Sequence, residues 1–278
     1  MHTWSWQTWQ GSTYLTCSLL DRWPHGYFTR QTWPQTPQAL VSAVHPEAEV
    51  FRVKQVHGNQ ILSSTEVQSH LAQQHPTDSN SELTFPEADG LISDSDRQSM
   101  WVCSADCTPV LIADDRTGQV AAVHAGWRGT AAKIVPAAIA RLQAQGSRIE
   151  DLRVAMGPAI AGDVYQVTAE VAAKVGQSLL DPETVDLTDT QTAIQTIVQT
   201  LMDWPQPPIL ADAKAGHLRL DVRRINALQL EQLGLDPTHI AIAPHCTYQD
   251  PDRFFSYRRD GRRQVQWSGI VSTSPVQP

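Results

Sequence analysis

The hydrophobic pattern is least ambiguous at the start of the chain and through its centre. From Met1 to Tyr14, Trp4 and Trp6 alternate with polar residues, the pattern of a half-exposed strand. In the centre, "MWVCSADCTPVLIADD" (Met100 to Asp115) reads as two short buried strands around a break at Ala105 to Pro109. After the turn signal Asp115-Arg116-Thr117-Gly118, "QVAAVHAGW" reads as another buried strand. "EVFRVKQVHG" (Glu49 to Gly58) predicts a strand that closes at Gly58, and "LRVAMGPAI" a strand that enters a Gly-Pro turn. "HIAIAPHCTY" and "VQWSGIVS" supply further strands towards the C-terminus.

Between these runs the period lengthens. Thr130 to Gln145 is helical in composition, with Thr130 placed as N-cap, Gly146 as the stop, and Pro136 predicting a kink or a late start. Val164 to Leu180 predicts a helix, as does Thr192 to Met202, which a Trp-Pro-Gln-Pro-Pro break follows. "LDVRRINALQLEQLGL" is the clearest helix: Asp221 caps it, apolar residues recur at Val222, Ile225, Leu228 and Leu233, and Gly234 ends it. Positions 63–86 are polar, rich in Ser, Gln and Thr with two prolines, and predict a surface loop or insertion. Positions 272–278 predict a flexible tail. Strands and helices alternate irregularly, with strand pairs between helices. That favours a mixed-sheet α+β arrangement over an all-parallel doubly wound sheet, carried by a single domain over 1–278.

Composition narrows the classes. The chain has 278 residues, 41% hydrophobic and 18% charged, the balance of a globular protein. A net charge of −8 argues against a generic nucleic-acid binder but not against a small anionic ligand, for which a few arginines suffice. No apolar run approaches the ~20 residues that cross a bilayer, so no membrane partner is expected. The N-terminus lacks the basic head and apolar core of a signal peptide, so a cytoplasmic protein is expected. Cys17, Cys103, Cys107 and Cys246 are too few and too scattered for a disulfide framework.

Three of the remaining polar residues occupy comparable places, just past or between buried strands: His57 in "KQVHGNQ", Cys107 in "CSADCTP" and His124 in "VHAGWRG". Two imidazoles and a thiolate make a sound set for zinc, with a fourth position left for water or substrate. A water on such an ion has a pKa near ~7. Asp89 and Asp106 are placed to support the ligands by hydrogen bonds. The same residues admit two other readings: packed core side chains, or a Cys107 nucleophile with His124 as its base. Gly126 and Gly129 let the backbone approach something closely, Trp127 offers a flat packing surface, and Arg128 offers a fixed positive charge. Cys17, Cys103 and Cys246 are read as structural.

The segments "KQVHG", "ADGLISD", "CSADCTPVLIAD", "AAVHAGWRGT", "MGPAI…YQV", "DVRRINALQLEQLG" and "CTYQDPDRFFSYRRDG" occur in this order. From about Phe51 to Arg259 the chain therefore resembles the YfiH family of laccase-domain proteins, also called multicopper polyphenol oxidases. The resemblance implies that His57, Cys107 and His124 form a zinc site. It implies an α+β fold with two mixed β-sheets packed between helices, layered α/β/β/α. It also implies a purine nucleoside enzyme that phosphorolyses adenosine, inosine, guanosine and methylthioadenosine, and deaminates adenosine. On this reading Cys107, Asp106 and Arg128 carry the chemistry, with Asp106 the candidate acid, and Arg30, Arg128 and Arg258 hold phosphate.

Two segments depart from the family's pattern. After Phe28, Thr29 and Arg30, a Gly-Gly pair is expected, and Gln31, Thr32, Trp33 and Pro34 stand there instead. In "YRRDGRR", Gly261 is followed by Arg262 and Arg263 where the family has Thr-Gly-Arg, so Arg258 reads either as an anion contact or as part of a solvated loop. Three other functions stay in view. Copper-dependent phenol oxidation is disfavoured because the chain has no paired HxH motifs. Amide hydrolysis that edits a peptidoglycan precursor could use the same residues. A non-catalytic binding protein would be consistent with the altered Arg30 loop.

Overall fold

A computed structural model describes residues 2–74, 84–181 and 190–275. Its strands, numbered in chain order, form two six-stranded sheets and one small one. The first sheet runs β1 (Trp4–Trp9), β2 (Ser12–Cys17), β3 (His25–Phe28), β15 (Gln266–Val271), β7 (Gln98–Ser104) and β4 (Glu49–Phe51). The second runs β14 (Ile240–Ile242), β10 (Leu152–Met156), β8 (Thr108–Asp114), β9 (Val120–Ala125), β6 (Gly90–Ile92) and β5 (Ile61–Ser63). Both are mixed: β4–β7, β10–β14 and β5–β6 pair parallel, and the other ladders are antiparallel.

Side-chain alternation builds the layers. On β8, Leu111 and Ala113 join Met100, Val102 and Tyr27 in a core between the two sheets. Val110 and Ile112 point the other way, into a core closed by α4 (Ile134–Ala144) and α7 (Val222–Gln232). The outer face of the first sheet, with Phe28, Trp101 and Val271, is covered by Leu40 and Val41 of α1 (Pro37–Val44). The result is the expected α/β/β/α order. Burial on both faces explains why the central strands read as continuous apolar runs.

The third sheet, β11 (Gln166–Thr168), β13 (His217–Leu220) and β12 (Ile209–Ala211), was not foreseen. It packs with α5 (Ala169–Gly176) and α6 (Thr190–Met202) around Val167, Ile197, Leu201 and Leu220. Its three- and four-residue strands are too short to show a period. They also displace part of one expected helix: Gln166 to Thr168 pair as strand, and α5 starts only at Ala169, capped by Thr168.

Other boundaries moved for local reasons. The N-terminal strand stops at Trp9, because Gln10 and Gly11 take φ of 48° and 77° and turn the chain into a hairpin with β2. The strand expected up to Gly58 shortens to Glu49–Phe51. Thr130 is no N-cap. It is buried inside α3 (Trp127–Ala131), where its hydroxyl accepts from Asn226 Nδ2 at 3.0 Å and its carbonyl from Gln229 Nε2 at 2.9 Å. Lys133 at φ 57° then breaks the chain, and α4 begins at Ile134. Pro136 therefore falls in the first turn, where a missing N–H costs no helical bond.

Part of the expected 63–86 loop is helix. Ser63 and Glu66 form a capping box at the start of α2 (Ser64–Ala72), while positions 75–83 lie outside the described residues. The expected tail is anchored at its start. Ser272 Oγ accepts from the Gln98 N–H at 3.0 Å, and the Thr273 N–H donates to Gly118 at 3.0 Å; 276–278 lie outside the described residues. Among the described residues, no helix is long and apolar enough to cross a membrane.

Candidate functional site

Three adjacent strands of the second sheet deliver the first residues of the site. In the β8–β9 ladder, Thr108 faces Ala125 and Pro109 faces His124, so Cys107, one residue before β8, falls opposite Gly126, and its Sγ lies diagonally across from the His124 ring, within 4.8 Å of its ligand nitrogen. On the other side, Gly90 of β6 faces Val123, and Asp89 just before it accepts the His124 backbone N–H at 2.7 Å. The ladders bring a thiol, an imidazole and a carboxylate to one sheet edge without any loop having to find them.

His57 arrives differently. Its loop hangs on Asp89, whose carboxylate accepts the backbone N–H groups of Val56 (3.1 Å), His57 (2.9 Å) and Gly58 (2.6 Å). These bonds accompany a His57 φ of 61°, a left-handed conformation uncommon for a residue with a side chain. Asp89 Oδ1 also lies 2.9 Å from Nδ1 of His124, which fixes that ring and leaves Nε2 to face the cluster. Asp89 is fully buried, and every bond it makes serves a ligand residue or its loop.

The ligand atoms of His57, Cys107 and His124 all lie within 4.8 Å of one another. The two imidazole rings meet edge-on at 4.9 Å between centroids. Exposure rises from buried His124 through half-buried Cys107 to exposed His57, so the cluster is closed on the sheet side and open towards a cleft. The nearby glycines are steric necessities: a Cβ on Gly126 would stand 2.8 Å from Cys107 Sγ, and one on Gly129 2.8 Å from the Gly58 carbonyl oxygen.

Electrostatics favour a charged cluster. Burial pushes the Cys107 thiol up, but His124 and His57 overcome it and bring the group down to about 6. Burial likewise disfavours the imidazolium of His124, yet Cys107 and Asp89 raise it to about 9. Burial works against the Asp89 carboxylate, and the His124 ring and the loop N–H groups hold it below the ordinary range. Cys103, four residues from Cys107, shows the contrast: burial takes its thiol up to about 12. A poised thiolate with two imidazoles fits a zinc-like divalent ion. Among the described residues this is the one group of three or more His, Cys, Asp or Glu side chains placed to hold a metal. A multi-ion copper centre therefore has no second ligand set there.

The cluster floors a cleft of about 640 Å³. Trp127 and Tyr165 form aromatic walls, and Tyr257 stands exposed at the mouth. Arg128, Arg258, Arg262 and Arg263 line the same cleft, and none is in an ion pair among the described residues. Arg128 lies over the Trp127 ring at 4.4 Å, and Arg258 over Tyr165 at 4.8 Å. A chain with net charge −8 thus keeps uncompensated positive charge at this opening.

The remaining expected site residues divide. Asp106 is buried and lines the cleft, but both oxygens are engaged: Oδ1 accepts from Thr247 Oγ1 at 2.7 Å, and Oδ2 from the Arg258 backbone N–H at 2.8 Å. Its bonds position α8 (Tyr257–Asp260), the short helix that carries Arg258. Arg258 also donates to the Gln166 carbonyl at 2.8 Å. Arg30 is not in this cleft; it lines a neighbouring cavity. Sequence reasoning did not single out Tyr165, although it sits in the quoted "YQV" segment, nor Tyr257. Nothing in the spacing announces that either faces the cluster.

Comparison with known proteins gives a consistent setting. Residues 35–272 match the family model described as multi-copper polyphenol oxidoreductase laccase. A purine nucleoside phosphorylase of Synechocystis sp. is 52% identical over 276 residues, 97% of each chain. An adenosine deaminase from an unknown prokaryotic organism is 26% identical over 180 residues, 65% of this chain and 60% of that one. The crystal structure of YlmD from Geobacillus stearothermophilus superposes with a TM-score of 0.74 at 23% identity, covering 97% of this chain and 99% of that one, which shows a shared fold.

Proposed function

This chain belongs to the multi-copper polyphenol oxidoreductase laccase family, and from that membership and the chemistry of its cleft we propose that it is a zinc-dependent purine nucleoside phosphorylase. The observation that carries the reading is the union, in one cleft, of the His57–Cys107–His124 cluster, aromatic walls and unpaired guanidinium groups. Aromatic faces suit a purine, and arginine forks suit phosphate oxygens. The name of the Synechocystis relative, at 52% identity along nearly the whole chain, supports the same reaction. Adenosine, inosine, guanosine and methylthioadenosine are the proposed substrates, with phosphate.

The purine lies between Trp127 and Tyr165 over the cluster, and Arg128 and Arg258 hold phosphate against the ribose. When bound, a zinc ion on His57, Cys107 and His124 supplies Lewis acidity at the floor of the cleft. A phosphate oxygen bonds to C1′ as the bond from C1′ to the base breaks. The bonding pair leaves with the purine, which takes up the proton that the attacking hydrogen phosphate gives up, and the products are the free base and ribose 1-phosphate. Burial and the nearby Cys107 raise the Tyr165 hydroxyl to about 12, so it keeps its proton and can donate a hydrogen bond to the departing base. Asp106 acts as a positioning residue for Arg258, its oxygens being taken by Thr247 and the Arg258 N–H.

The test is metal-analysed protein incubated with adenosine, with and without phosphate, and its products separated. Adenine formed only with phosphate supports phosphorolysis. No product in either arm defeats the proposal. Inosine formed without phosphate supports the second reading, deamination of adenosine, which the name of the 26%-identical relative favours.

A further inference from the structure

Beside the cleft lies a second cavity of about 250 Å³, lined by Arg30, Pro251, Arg259, Asp260, Arg262 and Gln264. Arg262 and Gln264 line both cavities, so these two side chains partition them. The charges in the second cavity do not cancel. Arg259 and Asp260 neutralise each other through a two-point contact, Nε to Oδ1 and Nη2 to Oδ2, both at 3.0 Å. Arg259 also spends its other donors on the carbonyls of Thr247, Tyr248 and Phe254. Arg30 and Arg262 remain, and neither has a carboxylate in an ion pair among the described residues.

Arg30 is held in place. Its backbone N–H donates to the Arg253 carbonyl at 2.8 Å, its guanidinium donates to the Pro251 carbonyl, and its Cζ lies 4.7 Å from the centre of the Phe255 ring. Trp33 meets the same Phe255 ring edge-on at 5.9 Å and 80°. The segment that replaces the family's glycines therefore grips Phe255 from a second direction and helps fix where Arg30 stands.

Arg30, held by these contacts, and Arg262, on the exposed loop, give the cavity two guanidinium groups against the one carboxylate of Asp260, which Arg259 already engages; among the described residues neither is in an ion pair, and together they match the charge of one phosphate monoester. The main cleft already supplies arginines for the phosphate of the proposed reaction. We propose that the second cavity receives the 5′-phosphate of a purine nucleoside monophosphate whose base and ribose occupy the main cleft. This rests on the placement of the purine in the proposed function. The ligand class is then extended from nucleosides to nucleotides, with Arg30 and Arg262 as the residues that discriminate between them.

Calorimetry on the zinc-loaded protein at low ionic strength tests this without any turnover, with AMP, adenosine and inorganic phosphate as separate titrants. AMP is expected to bind about tenfold tighter than adenosine, as charge-assisted hydrogen bonds to one phosphate allow. The ratio of the two affinities should fall towards one in Arg30→Gln and, separately, in the exposed-loop variant Arg262→Gln. It should also shrink as salt is added. AMP binding no tighter than adenosine overturns the proposal, as does a ratio preserved in both variants. Inorganic phosphate binding that disappears in Arg30→Gln, with no AMP advantage in the unaltered protein, assigns the cavity to free phosphate and equally overturns it. Absence of adenosine phosphorolysis with the AMP advantage intact would defeat the reaction and leave the subsite standing.

Discussion

The floor and the rim of the cleft are built on opposite principles. On the floor, the polar groups gathered around Asp89 have fixed partners. Asp89 accepts four N–H groups by way of His57, its two neighbours and the His124 ring, and glycines stand where any side chain would strike the thiolate or its loop. The rim leaves guanidinium charge without an ion-pair partner among the described residues. Arg128, Arg258, Arg262 and Arg263 have no carboxylate in an ion pair among the described residues, and two of them lean on aromatic faces instead. A satisfied, buried network keeps one geometry and suits a bound ion. Guanidinium groups that line the cleft with no carboxylate in an ion pair suit an anion. The two regions should therefore respond differently to substitution: the floor through metal content, the rim through phosphate affinity.

The largest effect should come from Cys107→Ala. It removes the thiolate and leaves two imidazoles to hold the ion. Metal content should fall well below one per chain, and phosphorolysis by more than the ~100-fold that loss of a supporting residue can cost. Elemental analysis beside product formation checks both, and full metal with full activity would break the account of the floor. Asp89→Asn comes next. It keeps the ligands but loses the acceptor that serves both the His57 loop and the His124 ring. Metal affinity or activity should drop by roughly 10–100-fold, read by competition with a chelator of known affinity. A drop in activity at unchanged metal affinity would mean that Asp89 acts on substrate and not on the ligands.

The same contrast decides what could be read from the sequence. The floor was legible because its residues sit at the ends of strands with strong apolar patterns. Once β8 and β9 are placed, the ladder puts Cys107 opposite Gly126 and diagonally across from His124. Asp89 was foreseen as a supporting group, but its hold on three backbone N–H groups was not, since no periodicity encodes a loop at positive φ. On the rim, Arg128 and Arg258 were foreseen and do line the cleft, whereas Arg30 lines its neighbour. Which cavity a loop arginine enters depends on packing such as Phe255 between Arg30 and Trp33, and residues more than 220 positions apart in the chain carry no mutual spacing signal. The third sheet stayed hidden for a related reason. Its strands gain their partners only from tertiary pairing, between segments that are individually too short to alternate.

A smaller effect is expected on the rim. Arg128→Gln removes a guanidinium that is exposed, stacked on Trp127 and outside any ion pair among the described residues. The KM for phosphate should rise about tenfold with metal content unchanged, consistent with the loss of charge-assisted hydrogen bonds. Added salt should narrow the difference between the variant and the unaltered protein. Loss of metal in this variant would erase the distinction between floor and rim.

The smallest effect is one of shape, and it examines the floor with the metal removed. An ordinary thiol near 9 becomes about tenfold more thiolate with each pH unit through neutrality. Cys107, brought down to about 6, is already mostly thiolate at pH 7, so its alkylation by iodoacetamide in chelator-treated protein should be nearly flat from pH 7 to 8.5 and fall below pH 6. Cys103, up at about 12, should stay unmodified throughout. The linkage has a definite sign. The depressed Cys107 thiol favours the fold most at high pH, and that contribution is lost as pH falls through about 6. The raised His124 favours the fold most at low pH, and that contribution is lost as pH rises through about 9. Between about 6.5 and 9 the two slopes oppose each other, because folding moves a proton from thiol to imidazole without net release. The stability of the metal-free protein should carry almost no pH dependence from this pair in that window. A Cys107 alkylation rate that climbs tenfold per unit from pH 7 would show that the imidazoles do not hold the thiolate, and the floor would then owe its geometry to the ion and not to the chain.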